Sequence, residues 1–223
     1  MGEMVKINLD GEELAGYYAE ANQSAPGIIV IQEWWGLVDH IKDIADRFAA
    51  QGFNAFAPDL YHGQAAAEPD TAKKLAMELQ LDSAANEIAN ATKFLISKGN
   101  GNVGVVGFCM GGTLSIWGAS IVPEIKASVA FYPGASWTRH NPNWSHMSGK
   151  KVIIHCSEGD GTSAAPGIQE ALTKINEAGG DAKAFDYPGT QHAFFNDDRP
   201  EVYDKASAEI AWKRTLEFFK VNL

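Results

Sequence analysis

Short apolar runs alternate with helical patterns through most of the chain. The runs at Gly27–Gln32, Phe53–Ala57, Asn102–Val106, Ala127–Tyr132, Lys151–His155 and Ala182–Tyr187 predict strands. Several are apolar without alternation, as expected when both faces of a parallel sheet are covered. Between them, Val38, Ile41, Ala45 and Phe48 recur at helical spacing, as do Ile168, Leu172 and Ile175. The second set has Pro166 in its first turn and Gly179-Gly180 as its stop. A last helix is expected from near Pro200, with Ala208, Trp212, Leu216 and Phe219 on one side.

The first residues read differently. Val5–Leu9 and Leu14–Ala19 flank Asp10-Gly11, which predicts an antiparallel hairpin. A hairpin followed by alternating β and α units implies an α/β fold. Its sheet would be mostly parallel, with an antiparallel N-terminal edge and helices on both faces. No repeat, linker or low-complexity tract interrupts the pattern, so residues 1–223 are expected to form a single domain.

Composition narrows the function. Apolar residues make up 45% and charged residues 21% of the 223 positions, an ordinary globular balance. Against 18 basic side chains stand 28 acidic ones, a formal charge of −10. Binding to a nucleic-acid backbone needs a basic face, so no nucleic-acid partner is expected. No apolar run approaches the ~20 residues that span a bilayer, so no membrane partner is expected either. No secretory pattern precedes the first strand, and Lys6 stands where a myristoylation signal needs Ser or Thr. The Asn-x-Ser/Thr triplets at Asn22, Asn90 and Asn143 are then chance matches. Two cysteines, Cys109 and Cys156, form neither a disulfide framework nor a C-x-x-C pair. A cytoplasmic monomer is the expectation.

The chemistry concentrates at Gly107-Phe108-Cys109-Met110-Gly111, where an apolar strand turns into a helical pattern. This is G-x-S-x-G, the nucleophile elbow, with Cys in place of Ser. A sharp turn strains the central residue, and side chains two positions away would strike the neighbouring strand and helix. The turn also puts Cys109 at a helix N-terminus, where the dipole and free N–H groups favour a thiolate. A buried, inert cysteine is the competing reading. Just upstream, Gly99-Asn100-Gly101-Asn102-Val103-Gly104 matches G-x-G-x-x-G. It follows a helix and opens a strand, the reverse of a dinucleotide site, so no cofactor is read from it.

In this class of hydrolase the chain order is nucleophile, acid, histidine. His192 follows the last strand and precedes the last helix, which suits a base; a surface histidine is the alternative. His155 falls inside a strand, where a core role is expected, and His140 and His146 precede any acid. Glu158 and Asp160 both follow the penultimate strand. Asp160 is preferred for its glycine-flanked loop, with a solvated carboxylate as the alternative. The N–H groups of Trp34 and Met110 are the candidate oxyanion donors. Glu33, directly after a buried strand end, needs a partner there, and a structural salt bridge would serve. Trp35, Tyr61 and Phe194, with Trp34, would give an aromatic substrate site, although each could be core.

Gln32-Glu33-Trp34-Trp35-Gly36, Ala57-Pro58-Asp59-Leu60-Tyr61, the elbow with Gly112, the loop to Asp160, and Gly189-Thr190-Gln191-His192-Ala193-Phe194 occur in one order across nearly the whole chain. Together they resemble the dienelactone hydrolase family, the carboxymethylenebutenolidases. The resemblance implies the α/β-hydrolase fold and a Cys109–His192–Asp160 triad. It also implies that Glu33 interacts with the thiol and helps activate it when substrate arrives. The expected reaction is hydrolysis of a small-molecule ester or lactone through an acyl-cysteine, with no metal or organic cofactor. A hydrolase of phosphotriesters or thioesters, and a non-catalytic binder on the same fold, are the rivals. Family members that take dienelactone clamp its carboxylate with arginines. Here Asn196 stands in place of one, and the segment after Tyr61 offers only Lys73 and Lys74, without Arg's bidentate fork.

Overall fold

The structure is a computed structural model that describes residues 1–9, 11–134 and 136–223. The predicted hairpin forms from β1 (Glu3–Leu9) and β2 (Glu12–Ala19), antiparallel and in unbroken register from Glu3↔Tyr18 to Leu9↔Glu12. Of its expected Asp10-Gly11 turn, Asp10 lies outside the described residues, while Gly11 has φ +86°.

Strands β3 (Gly27–Ile31), β4 (Asn54–Pro58), β5 (Val103–Phe108), β6 (Ile125–Phe131), β7 (Lys151–Ser157) and β8 (Asp181–Tyr187) pair in parallel. With the hairpin they make one sheet in the order β1-β2-β4-β3-β5-β6-β7-β8. All the expected strands are present, shifted at their ends by a residue or two.

Strand side chains alternate between two cores. Ile28 and Val30 join the cluster under α1 (Asp39–Ala50) and α6 (Lys205–Asn222), while Ile29 and Ile31 join the one on the opposite face. That second core is covered by α2 (Pro69–Glu78), α3 (Leu81–Lys98), α4 (Met110–Ile121) and α5 (Pro166–Glu177). Helices on both faces explain why the central strands read as continuous apolar runs. The last helix starts at Lys205 rather than near Pro200. Its N-cap is Asp204, whose carboxylate accepts from the Ser207 N–H at 2.8 Å. Its buried face is Ala208, Ala211, Thr215 and Phe219; Trp212 and Leu216, expected on that side, sit half-buried at its edge.

The connection β3-α1-β4 runs one way across the sheet, and the chain then returns to the other side of β3 to form β5. The loops after β3 and β5 therefore diverge, opening the crevice where ligands of open α/β sheets bind. Trp34 and Cys109 head those two loops. Helix α4 is held at both ends. Its C-terminal carbonyls Ala119 O and Val122 O accept from buried Lys150 Nζ at 2.6 and 2.8 Å. Burial pulls the Lys150 pKa down to about 8. At its N-terminus the elbow packs against the sheet with no room for side chains. A Cβ on Gly107 would lie 1.8 Å from Gly111 O, and one on Gly111 would lie 2.4 Å from Gln32 O. Both obstacles are backbone, so neither can swing aside.

Gly111→Ala should therefore push α4 away from β3 and cost about 1–3 kcal/mol, as overpacking typically does. Urea denaturation of the variant checks this; an unchanged midpoint would show that the elbow tolerates displacement.

Candidate active site

Cys109 joins β5 to α4 with φ 56° and ψ −118°, a conformation that a residue with a Cβ rarely adopts. Neighbouring hydrogen bonds impose it. Cys109 N–H donates to Phe131 O at 3.0 Å, and Cys109 O accepts from the Gly112 N–H at 2.9 Å. The side chain stays partly exposed at the N-terminus of α4. Met110 occupies the first helical position, where a backbone N–H has no partner within the helix. Among the described residues neither the Met110 nor the Trp34 N–H makes a hydrogen bond.

His192 meets Asp160, with Nδ1 2.8 Å from Oδ2. Its ring stands edge-on to Tyr132, centroids 5.1 Å apart, which limits its tilt. Burial disfavours its charge. Hydrogen bonds with Asp160 and Cys109, reinforced by the charges of both, overcome that and raise the His192 pKa to about 10. Burial likewise opposes ionisation of Asp160. The bonds from His192 and from Ser157 Oγ, with the imidazolium charge, outweigh it and hold the carboxyl below its usual range. The structure thus brings Cys109, His192 and Asp160 together, in the predicted chain order. Glu158, the other acid considered, instead accepts from the Gly189 N–H at 2.5 Å and braces the loop that leads to His192.

Glu33 is buried, and its partners are neutral donors rather than the cation of a salt bridge. Tyr132 Oη donates to Oε1 at 3.3 Å and Asn196 Nδ2 donates to Oε2 at 2.9 Å. Tyr132 is fully enclosed. Its hydroxyl pKa is driven well up by burial and then by the charges of Glu33 and Cys109, so it lies within electrostatic reach of both. Next to Asn196, Asp197 accepts from Arg47 Nη2 of α1 at 2.5 Å, tying the loop to the scaffold.

The aromatic residues divide. Trp34 and Trp35 are half-buried and meet edge-to-face at 5.2 Å, with the Arg199 guanidinium 5.9 Å above Trp35. The buried Tyr61 hydroxyl donates to Met110 Sδ at 3.6 Å and lies within electrostatic reach of Cys109. Phe194 does not line the site. It has no exposed surface and packs against Tyr132 and Tyr187 at 5.6 and 4.9 Å, a wall behind the histidine. His155 is a core residue as expected, bonded to Thr215 and Tyr187 at 3.0 and 2.8 Å, and burial depresses its pKa to about 3. Burial, with the charges of Asp186 and Asp160, pushes the Cys156 thiol up to about 12. It stays protonated.

Sequence reasoning passed over Ser157, Tyr132 and Arg199, and noted Asn196 only as a missing arginine. Tyr132, Asn196 and Arg199 reach segments far away in the chain, so nothing local marks them, whereas Ser157 bonds Asp160 only three residues on. A cavity of about 170 Å³ opens beside the histidine, lined by Tyr132, Pro133, Gly134, Cys156, Asp160, Thr162, Ala165, Ile168 and His192. Among the described residues no group of three or more His, Cys, Asp or Glu could hold a metal ion. No helix is long and apolar enough to cross a membrane.

Comparison with known proteins places these features in context. A family model described as the dienelactone hydrolase family matches residues 14–223. Protein usf of Aquifex pyrophilus is 37% identical over 239 residues, covering all of both chains. The solved structure named m3DLH superposes with a TM-score of 0.85 at 19% identity, covering 100% of this chain and 98% of its own. A dienelactone hydrolase-like promiscuous phosphotriesterase, P91 from metagenomic libraries, gives 0.82 at 18% identity, with 100% and 98% covered. At such identities the two structures attest the fold.

The His192 pKa stands above its unfolded value near 6.5. The stability it contributes is therefore complete below pH 6.5 and is lost as pH rises through about 10. Denaturation of wild type and His192→Gln should show a gap at pH 6 that has closed by pH 10.5. A gap independent of pH would overturn the charged pairing.

Proposed function

The chain belongs to the dienelactone hydrolase family, and on that premise we propose that it hydrolyses a carboxylic ester or lactone through an acyl-cysteine intermediate. The observation that carries this reading is the strained Cys109, partly exposed at a helix N-terminus and within electrostatic reach of a histidine that Asp160 bonds and orients.

The geometry supports the following steps. Cys109 Sγ attacks the carbonyl carbon, and the Trp34 and Met110 N–H groups receive the developing oxyanion. Collapse of the adduct breaks the bond to the leaving oxygen. The proton on the His192 nitrogen facing Cys109 passes to that oxygen, leaving a thioester and a neutral alcohol. Water then adds to the thioester with His192 taking its proton, and the carbon–sulfur bond breaks to regenerate the thiolate–imidazolium pair. Asp160 keeps its proton-free state throughout and fixes the tautomer of His192. Glu33, held by Tyr132 and Asn196, interacts with Cys109 and helps make its sulfur the stronger nucleophile as substrate arrives. Trp35 and Tyr61 contribute aromatic surface to the substrate site. With Asn196 bonded to Glu33, that position offers no arginine for a substrate carboxylate.

Cys109→Ala should abolish turnover of a p-nitrophenyl ester while circular dichroism shows an unchanged fold, and Asp160→Asn should lower kcat by roughly 10³-fold or more. Undiminished turnover by Cys109→Ala would sink the mechanism. Slow alkylation of Cys109 by iodoacetamide, together with no esterase activity, would favour a binder on the same fold.

A further inference from the structure

The cavity beside His192 has a definite place in this chemistry. It is built from the carboxyl ends of β6 and β7 and the start of α5, and its lining includes His192 and Asp160 but neither Cys109, Trp34 nor Met110. One oxyanion donor belongs to the nucleophile's own elbow after β5 and the other to the loop after β3, on the side of the nucleophile away from β6 and β7 in the strand order. A bound carbonyl thus points its oxygen towards β3. Two substituents remain on the carbonyl carbon, the acyl chain and the leaving oxygen. For proton transfer the leaving oxygen must come within ~3 Å of His192. Because His192 forms part of the cavity wall, the group carried by that oxygen starts at the cavity mouth.

We propose that this cavity is the leaving-group pocket, and that it takes the alcohol or enol half of an ester as a compact, uncharged, ring-sized group. The proposal rests on the acyl-cysteine reading above and adds the substrate class. Size follows from volume. At about 170 Å³ the space compares with apolar cavities of about 150 Å³ that hold one benzene ring. Charge follows from the lining: the Asp160 carboxylate is paired with the His192 imidazolium, and no Lys or Arg lines the wall to hold an anion. Apolar character comes from Pro133, Ala165 and Ile168. Ile168 is buried, and Ala165 is half-buried.

Phenyl acetate and 2-naphthyl acetate test this, because they differ only in the alcohol and form the same acetyl-enzyme. Ile168→Ala should raise the naphthyl-to-phenyl ratio of kcat/KM about tenfold, the usual scale for a few methylenes in an apolar pocket. Ala165→Leu, on a partly exposed position that the fold tolerates more readily, should lower that ratio. Both variants should deacylate the acetyl-enzyme at the wild-type rate, since the alcohol has already left. Ratios within twofold of wild type in both variants overturn the pocket while leaving Cys109-dependent turnover, and so the acyl-cysteine reading, intact. A changed deacylation rate with unchanged ratios assigns the cavity to the acyl chain, which also overturns it. Absence of Cys109-dependent turnover in the wild-type protein removes both readings.

Discussion

The backbone of Cys109 is the constraint on which the site depends. A β-carbon at φ 56° is tolerated only where the surroundings over-determine the turn. Here they do so by contact without side chains: the elbow glycines lie against Gly111 O and the end of β3, closer than any Cβ allows. Lys150 secures the far end of α4, so the helix cannot slide to relieve the strain. The result is a sulfur held at the head of a helix, at the crevice where the sheet changes direction.

Around that sulfur the charges are arranged in two layers. His192 stands between an acid and a thiol, and both favour its proton, which overcomes the cost of burial. Behind them Glu33, Tyr132 and Asn196 form a buried polar cluster whose members satisfy one another. The hydrogen-bond partners of Glu33 are neutral donors rather than a cation. Phe194 packs against both Tyr132 and Tyr187, which gives this cluster an aromatic wall on one side.

Much of this was legible in residue order. Short apolar runs located the strands and period-3.6 patterns several helices, and the elbow declared itself because steric necessity leaves glycines at set offsets. The start of the last helix was not legible: Pro200 is permissible in a first turn, whereas the N-cap is Asp204, four residues before the buried Ala208. Phe194 was misplaced for a related reason. Proximity to a catalytic histidine in sequence says nothing about which side of the loop the ring takes, and only packing against Tyr132 and Tyr187 decides that.

The sequence by itself determined the layered α/β architecture and the elbow at Cys109, because each follows from local periodicity or local sterics. Tertiary structure decided which acid meets His192, what holds Glu33 and where the cavity opens. Asp160 rather than Glu158, Tyr132 and Asn196 rather than a cation, and the wall of Ala165 and Ile168 are all contacts between segments far apart in the chain. Such contacts depend on how the strands are ordered in the sheet, and no spacing along one strand carries that order.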